Sequence, residues 1–422
     1  MLRKSAVAAF VLALNFAVSK AETNYKQLDF QVPQPPVPLE TGLRADKSSA
    51  AKAEWTVMVF INGKNDVENG AVQYFKQLEA VGSTDRINIV AELGRKTSGT
   101  WTGCRRYLVK KDTGADIASP PLQIAEKCDM GDYNRAVDFG EWAMSKFPAN
   151  HYMYIIWNHG LGWEKSGSGG MAKGISCDQE TGHYISTPQM GLLLNALGHV
   201  DVYRSEACLM QMAEVAYEIK DRADYILGSE EVETEYYLNA DEWLNKFIAG
   251  GDFSPEALAK TAVDVSRQFT LSCVRAAAMA HFVELLDGFS SAVMKEDKTV
   301  VATAAANTQR YATSSHRDLY HFATLVAASS KNEAVKSSAK TLTDYIAGTL
   351  VIANKTNQAF RNPVDTSGKF IMPGDYTNSH GLAIYLRESA YDYAGDTEKN
   401  YGALSFAKNS KWPEFLQWLH KK

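Results

Sequence analysis

Two side chains stand out as a pair able to do chemistry. His159 closes the stretch Tyr152-Met-Tyr-Ile-Ile-Trp-Asn-His159-Gly160, and Cys208 closes Val200-Asp-Val-Tyr-Arg-Ser-Glu206-Ala-Cys208. Each stretch reads as a short apolar strand ending in one reactive group. A thiol becomes a good nucleophile at neutral pH when a base stands beside it, and a helix N-terminus lowers its pKa further. The segment after Cys208 is helix-forming, which puts the thiol at a helix start. Neighbouring parallel strands would bring the two groups together at their carboxyl ends, although they lie 49 positions apart. The implied chemistry is that of a Cys–His hydrolase. His159 would act as base toward the thiol and then as acid toward the leaving amine. The backbone N–H groups of Gly160 and Cys208 are the candidate oxyanion hole, and Gly160 leaves room for a ligand to approach.

Glu206 and Cys208 share one side as the chain leaves its strand. A carboxylate there hinders ionisation of the thiol unless it points into a neighbouring pocket, where it would select a cationic side chain, Lys or Arg. The remaining histidines have no metal-ligand spacing, so a zinc enzyme is disfavoured. No Gly-x-Ser-x-Gly or phosphate-loop motif precedes a helix. The acidic cluster Glu230, Glu231, Glu233 and Glu235 reads as a solvated face, with binding of calcium or a basic substrate as the lesser alternative.

The elements that position these groups follow from apolar patterning. Trp55–Asn62 is an almost wholly apolar run, as expected for a strand covered on both faces. Asp66 reads as the N-cap of a helix through Leu78, and Ile87–Leu93 as the next strand, giving a parallel βαβ unit. Gly94–Asp132 is polar and irregular, with an edge hairpin as its most regular form. A helix over Tyr133–Lys146 leads into the His159 strand, Thr187–Leu197 forms a helix before the Cys208 strand, and Tyr225–Ser229 is a fifth strand. From Asp241 the signal is mainly helical, including Ser254–Leu271 and Ala334–Ala353. Ser272–Met279 and Gly381–Leu386 are strand candidates, the latter returning to the sheet. The fold class is α/β, a mostly parallel sheet sandwiched by helices.

Four segments result: 1–21, 22–53, 54–240 and 241–422. In the first, Arg3 and Lys4 precede the apolar run Ala6–Val18, and Ser19-Lys20-Ala21 offers a small-x-small cleavage site, the pattern of a secretory signal peptide. That run is shorter than the roughly 20 residues a membrane span needs. Loss of Arg3, Lys4 and Lys20 would take the net charge from −5 to −8, which argues against a nucleic-acid partner. The proline-containing stretch 22–53 reads as a linker. Five cysteines in an exported chain are accounted for by two disulfides and one free thiol, or by several buried reduced thiols; Cys104 and Cys128 are the nearest pairing candidates.

Taken together, Trp55-Thr-Val-Met-Val-Phe-Ile-Asn-Gly63, Ile155-Ile-Trp-Asn-His-Gly-Leu-Gly-Trp163, Glu206-Ala-Cys-Leu-Met210 and Gly228-Ser-Glu-Glu231 resemble the clostripain-related cysteine peptidases (family C11, clan CD, caspase-like fold). The resemblance implies His159 and Cys208 as catalytic dyad and Glu206 as an S1 residue. It further implies cleavage of peptides after Arg or Lys, and activation by a cut in the loop after the histidine. Lys173 fits that position best and Lys165 second, within a stretch carrying glycines at 162, 167, 169, 170 and 174. Some members need calcium, and no ligands map onto this chain. Two departures matter. Glu206 replaces the usual Asp, and Glu235-Tyr-Tyr-Leu-Asn-Ala-Asp241 replaces a Gly-Trp segment, leaving Asn239 or Asp241 as the second acidic pocket residue. The reading from another class is a catalytically silent binding protein of the cell envelope; two intact catalytic residues argue against it.

Overall fold

The computed structural model describes residues 52–96, 100–164, 174–357, 374–387 and 400–420. The leader, the signal-like segment and the loop holding Lys165 and Lys173 lie outside them. Nine strands form one sheet. In chain order they are β1 (Ala53–Gly63), β2 (Ile87–Arg95), β3 (Gly103–Leu108), β4 (Gln123–Ala125), β5 (Ala149–Trp157), β6 (Val200–Glu206), β7 (Ala223–Gly228), β8 (Thr270–Arg275) and, after β9, β10 (Val351–Thr356). The spatial order is β10-β8-β7-β6-β5-β1-β2-β3-β4. The five central strands β7, β6, β5, β1 and β2 run parallel, and each edge is finished by two antiparallel strands. This is a caspase-like sheet.

The apolar run of β1 is explained by burial on both faces. Trp55, Val57, Val59 and Ile61 enter one layer with Phe75 and Leu78 of α1 (Glu68–Val81) and with Trp243 and Phe247 of α5. Met58 and Phe60 enter the opposite layer with Phe139 of α2, Leu193 of α3, Val215 of α4 and Phe282 of α7. These helices are α2 (Tyr133–Lys146), α3 (Thr187–Leu197), α4 (Ala213–Ile219), α5 (Ala240–Gly250) and α7 (Met279–Val293), with α6 (Pro255–Asp264) beside α5. The helical C-terminal portion continues through α8 (Lys298–Asn307), α9 (Leu319–Ser329) and α10 (Glu333–Tyr345).

Three expectations are corrected here. Gly381–Leu386 does contain a strand, β11 (Ala383–Tyr385), but it pairs with β9 (His316–Asp318) in a separate two-stranded sheet. The returns to the main sheet come from β8 and β10 instead. The helix expected over Ala334–Ala353 ends at Tyr345, passes through one π turn and becomes β10. The cysteine arithmetic also changes: Cys104 and Cys128 form a disulfide, whereas Cys177, Cys208 and Cys273 are all free.

The disulfide ties β3 to the segment after β4 across 24 residues. Closing a loop of that length restricts the unfolded chain by about 3 kcal/mol. The double variant Cys104→Ser/Cys128→Ser should lose that much in urea-unfolding stability. Unchanged unfolding midpoints would show that the bridge does not constrain the unfolded chain.

Candidate active site

Sheet register carries the two reactive residues to the carboxyl ends of neighbouring strands. Trp157 of β5 stands opposite Glu206 of β6 in the parallel ladder, and Asn158 N donates to Glu206 O at 3.3 Å. His159 and Cys208 therefore sit at the same offset beyond the last paired residues. The backbones come together just past that point: a Cβ on Gly160 would lie 2.5 Å from Cys208 O, so only glycine fits.

Each side chain is held by its own partners. Asn158 Nδ2 donates to Asn62 O at 2.6 Å and its Oδ1 accepts from Cys177 N at 2.8 Å, pinning the strand ends to the chain that returns from the following loop. His159 Nε2 lies 2.8 Å from Asp66 Oδ1. Asp66 therefore is not the cap of α1, whose cap position is Val67. Burial pulls the Asp66 carboxyl upward, but the hydrogen bond and charge of His159 outweigh it and hold the group below the usual carboxylate range. Sequence reasoning missed this role, although Asp66 follows the carboxyl end of β1 at the edge where His159 emerges. A carboxylate on a catalytic imidazole fixes its tautomer and steadies its charged form. Asp66→Asn should lower kcat for peptide reporters on the order of 10²-fold with little change in KM. An unchanged kcat would show that His159 needs no such support.

Cys208 is only partly exposed, and its hydrogen bonds run to the irregular segment that follows β7. Its Sγ lies 3.3 Å from Glu233 N and 3.4 Å from Glu233 O. Burial pushes the thiol up to about 12, against the lowering effect of the Glu233 N–H. The expected helix start is also absent from the thiol, since α4 begins only at Ala213. A tight turn fills the gap. Leu209 holds φ 63°, a left-handed conformation costly for a branched side chain. Leu209 N→Glu231 O and Gln211 N→Ser229 O, both 3.0 Å, hold that turn against the segment after β7.

Glu206 is buried, with Tyr74 Oη donating to Oε2 and Arg204 Nη2 to Oε1 at 3.0 Å. Burial raises its carboxyl and Arg204 opposes that shift. Beside it stands Glu233, a residue that sequence reasoning left in a solvated cluster. Both its carboxylate oxygens are buried without a hydrogen-bond partner. Burial drives that carboxyl well above its ordinary value, partly countered by Arg204. Glu230 and Glu231 are buried too, so of the acidic run only Glu235 lies on a solvated face. Asn239 and Asp241 belong to α5. Asn239 is its N-cap residue, with Nδ2 donating to Val265 O at 2.7 Å, and Asp241 lies in its first turn. Among the described residues, no three His, Cys, Asp or Glu side chains are grouped to hold a metal ion.

The segment carrying Lys165 and Lys173 departs from Glu164 and returns at Gly174, whose carbonyl accepts from Leu161 N at 2.9 Å. Trp163 anchors the departing end, buried edge-on between Tyr385 and Tyr401 at 4.8 Å from each ring.

A central parallel sheet that delivers an imidazole and a thiol at adjacent carboxyl ends defines a cysteine peptidase of caspase-like fold. The clostripain family model, Peptidase C11, matches residues 59–418, and the chain belongs to that family. Solved structures agree in fold. A secreted C11 cysteine protease from Bacteroides thetaiotaomicron, bound to an irreversible peptide inhibitor, is 16% identical with a TM-score of 0.64, covering 86% of this chain and 100% of that one. An inactive zymogen C11 protease from Parabacteroides distasonis is 17% identical with a TM-score of 0.60, covering 85% and 98%. No curated protein matches the sequence. No helix among the described residues is long and apolar enough to cross a membrane.

Proposed function

We propose that the chain is an exported, secreted or periplasmic, cysteine endopeptidase that cleaves proteins or peptides after Lys or Arg. The observation that carries this reading is the common offset of His159 and Cys208 beyond the Trp157–Glu206 register, with Asp66 on the imidazole. The Cys208 thiol attacks the peptide carbonyl, His159 takes the thiol proton and passes it to the leaving amine, and water then hydrolyses the thioester. The Gly160 and Cys208 N–H groups hold the oxyanion. Glu206 and Glu233 supply the acidic character of the S1 pocket, with Asn239 and Asp241, at the start of α5, as its further candidate residues. The thiol is poorly ionised and bonded to Glu233 backbone, which suits a zymogen. A cut at Lys173, or at Lys165, would separate ends that Trp163 and the Leu161–Gly174 hydrogen bond keep in place. Export rests on the N-terminal segment and on the secreted relatives.

The test uses the purified mature protein with peptide reporters ending in Arg, Lys, Asp or Leu, comparing wild type, Cys208→Ala and Lys173→Ala while a gel follows the chain's integrity. Cleavage after Arg or Lys that disappears with Cys208 is expected, with slower self-cutting in Lys173→Ala. Turnover that survives loss of Cys208, or silence on all four reporters by the processed chain, overturns the reading.

A further inference from the structure

The buried face of β6 that leads to Cys208 already holds a cation of its own. Arg204 and Glu206 lie two apart on β6, so their side chains share a face, and each is only 2% exposed. Both oxygens of Glu206 are engaged, one by Arg204 and one by Tyr74. The Tyr74 ring is in turn stacked on Trp157 at 5.8 Å. The guanidinium is less well served: its Nε and Nη1 have no acceptor. A guanidinium fork can satisfy two carboxylates, and here it satisfies one.

Glu233 is the complementary deficit. Its backbone flanks the nucleophilic sulfur, while its carboxylate, buried and without a hydrogen-bond donor, interacts through charge with Arg204 and Glu206. Two carboxyls share one guanidinium, and burial favours the protonated form of Glu233 until another cation reaches it. A Cβ on Gly70 would come 2.3 Å from Glu235 Oε2 and 3.3 Å from the Trp157 ring, so the short turn Glu235–Tyr237 packs closely against α1 beside the Tyr74–Trp157 stack.

We infer, building on the proposed cleavage after basic residues, that Arg204 is a built-in counter-cation of the S1 pocket that selects lysine over arginine at P1, with Glu233 binding the lysine ammonium. A P1 lysine brings one compact charge with three donors to the unpartnered Glu233 carboxylate. A P1 arginine brings a second planar guanidinium against Arg204, and Glu206 has no oxygen left for its fork. Glu233 must give up its proton to take the ammonium, so lysine binding should also tighten as pH rises.

The experiment compares activated wild type, Arg204→Met, Arg204→Lys and Glu233→Gln on reporters with Lys, Arg, citrulline or norleucine at P1. Wild type should prefer Lys to Arg by about tenfold in kcat/KM. Arg204→Met should move the Lys/Arg ratio at least about tenfold toward Arg, because Glu206 is freed, and Arg204→Lys should keep the wild-type order. Glu233→Gln should abolish the preference for Lys over norleucine and flatten the pH dependence of KM for the Lys reporter, while its melting curve verifies its fold. A Lys/Arg ratio within threefold of wild type in Arg204→Met overturns the inference. So does an intact Lys preference in Glu233→Gln, which decides the matter even if Arg204→Met does not fold. Failure of the underlying reading looks different: hydrolysis would persist in Cys208→Ala, or wild type would ignore both basic reporters.

Discussion

Cys208→Ala should lower peptide cleavage by at least about 10³-fold while leaving the melting curve nearly unchanged. The catalytic loss is large because thioester formation has no substitute nucleophile: Cys177 is a separate half-buried thiol and Cys273 is sealed inside the sheet. The structural loss is small because the thiol contributes only two long contacts to Glu233, at 3.3 and 3.4 Å. A second arm exploits the thiol pKa. At about 12, only about one molecule in 10⁵ carries a thiolate at pH 7. Iodoacetamide should therefore label Cys208 slowly in the uncut chain and progressively faster up to and beyond pH 10, with Cys208→Ala as control for Cys177. Rapid labelling of the uncut chain at pH 7 would mean that the dyad is already assembled.

Much of this site is legible in the sequence because it rests on strands buried on both faces. Trp55–Asn62 and Tyr152–Trp157 announce themselves as apolar runs and Val200–Ser205 as a shorter, mixed one, and His159 and Cys208 follow close behind the last two. What could not be read depends on partners far along the chain. Asp66 looks like a helix cap because nothing local ties it to His159, 93 positions away. Glu230 and Glu231 look solvated because their partners, Tyr311 and Tyr376, are 81 and 145 positions away. Arg204 did leave a signal: a charge inside an apolar central strand has to be paired, and Glu206 at the matching face was the nearest partner. The β10 strand was hidden by helical periodicity running on through the π turn Ile346–Leu350; from Val351 onward, tertiary pairing with β8 prevails over local preference.

The second large effect concerns stability rather than catalysis, and it originates directly behind the turn that follows Cys208. Glu230 and Asp318 are both fully buried and interact with each other. Tyr311 Oη donates to Glu230 Oε1 at 2.7 Å, and Asp318 accepts the backbone N–H groups of His321 at 2.7 Å and His380 at 2.6 Å. Burial raises Asp318 to about 7 and Glu230 well above its ordinary value. Both folded values exceed the unfolded ones, so the folded state binds more protons above about pH 4. The associated stability is fully present below that pH and is lost as pH rises through 7, continuing more slowly above it. Each proton retained costs about 1.4 kcal/mol per pH unit. Glu230→Gln cannot ionise, yet its amide can still donate to Asp318 and accept from Tyr311. Between pH 5 and 8 the variant should gain stability relative to wild type in denaturant unfolding. Parallel stability curves for the two proteins would mean that the pair does not hold its proton. The site feels the same titration, because Glu231 O, one residue on, receives Leu209 N and Glu233 meets the thiol. Loosening this segment in mild alkali should therefore speed alkylation of Cys208 in wild type more than in Glu230→Gln.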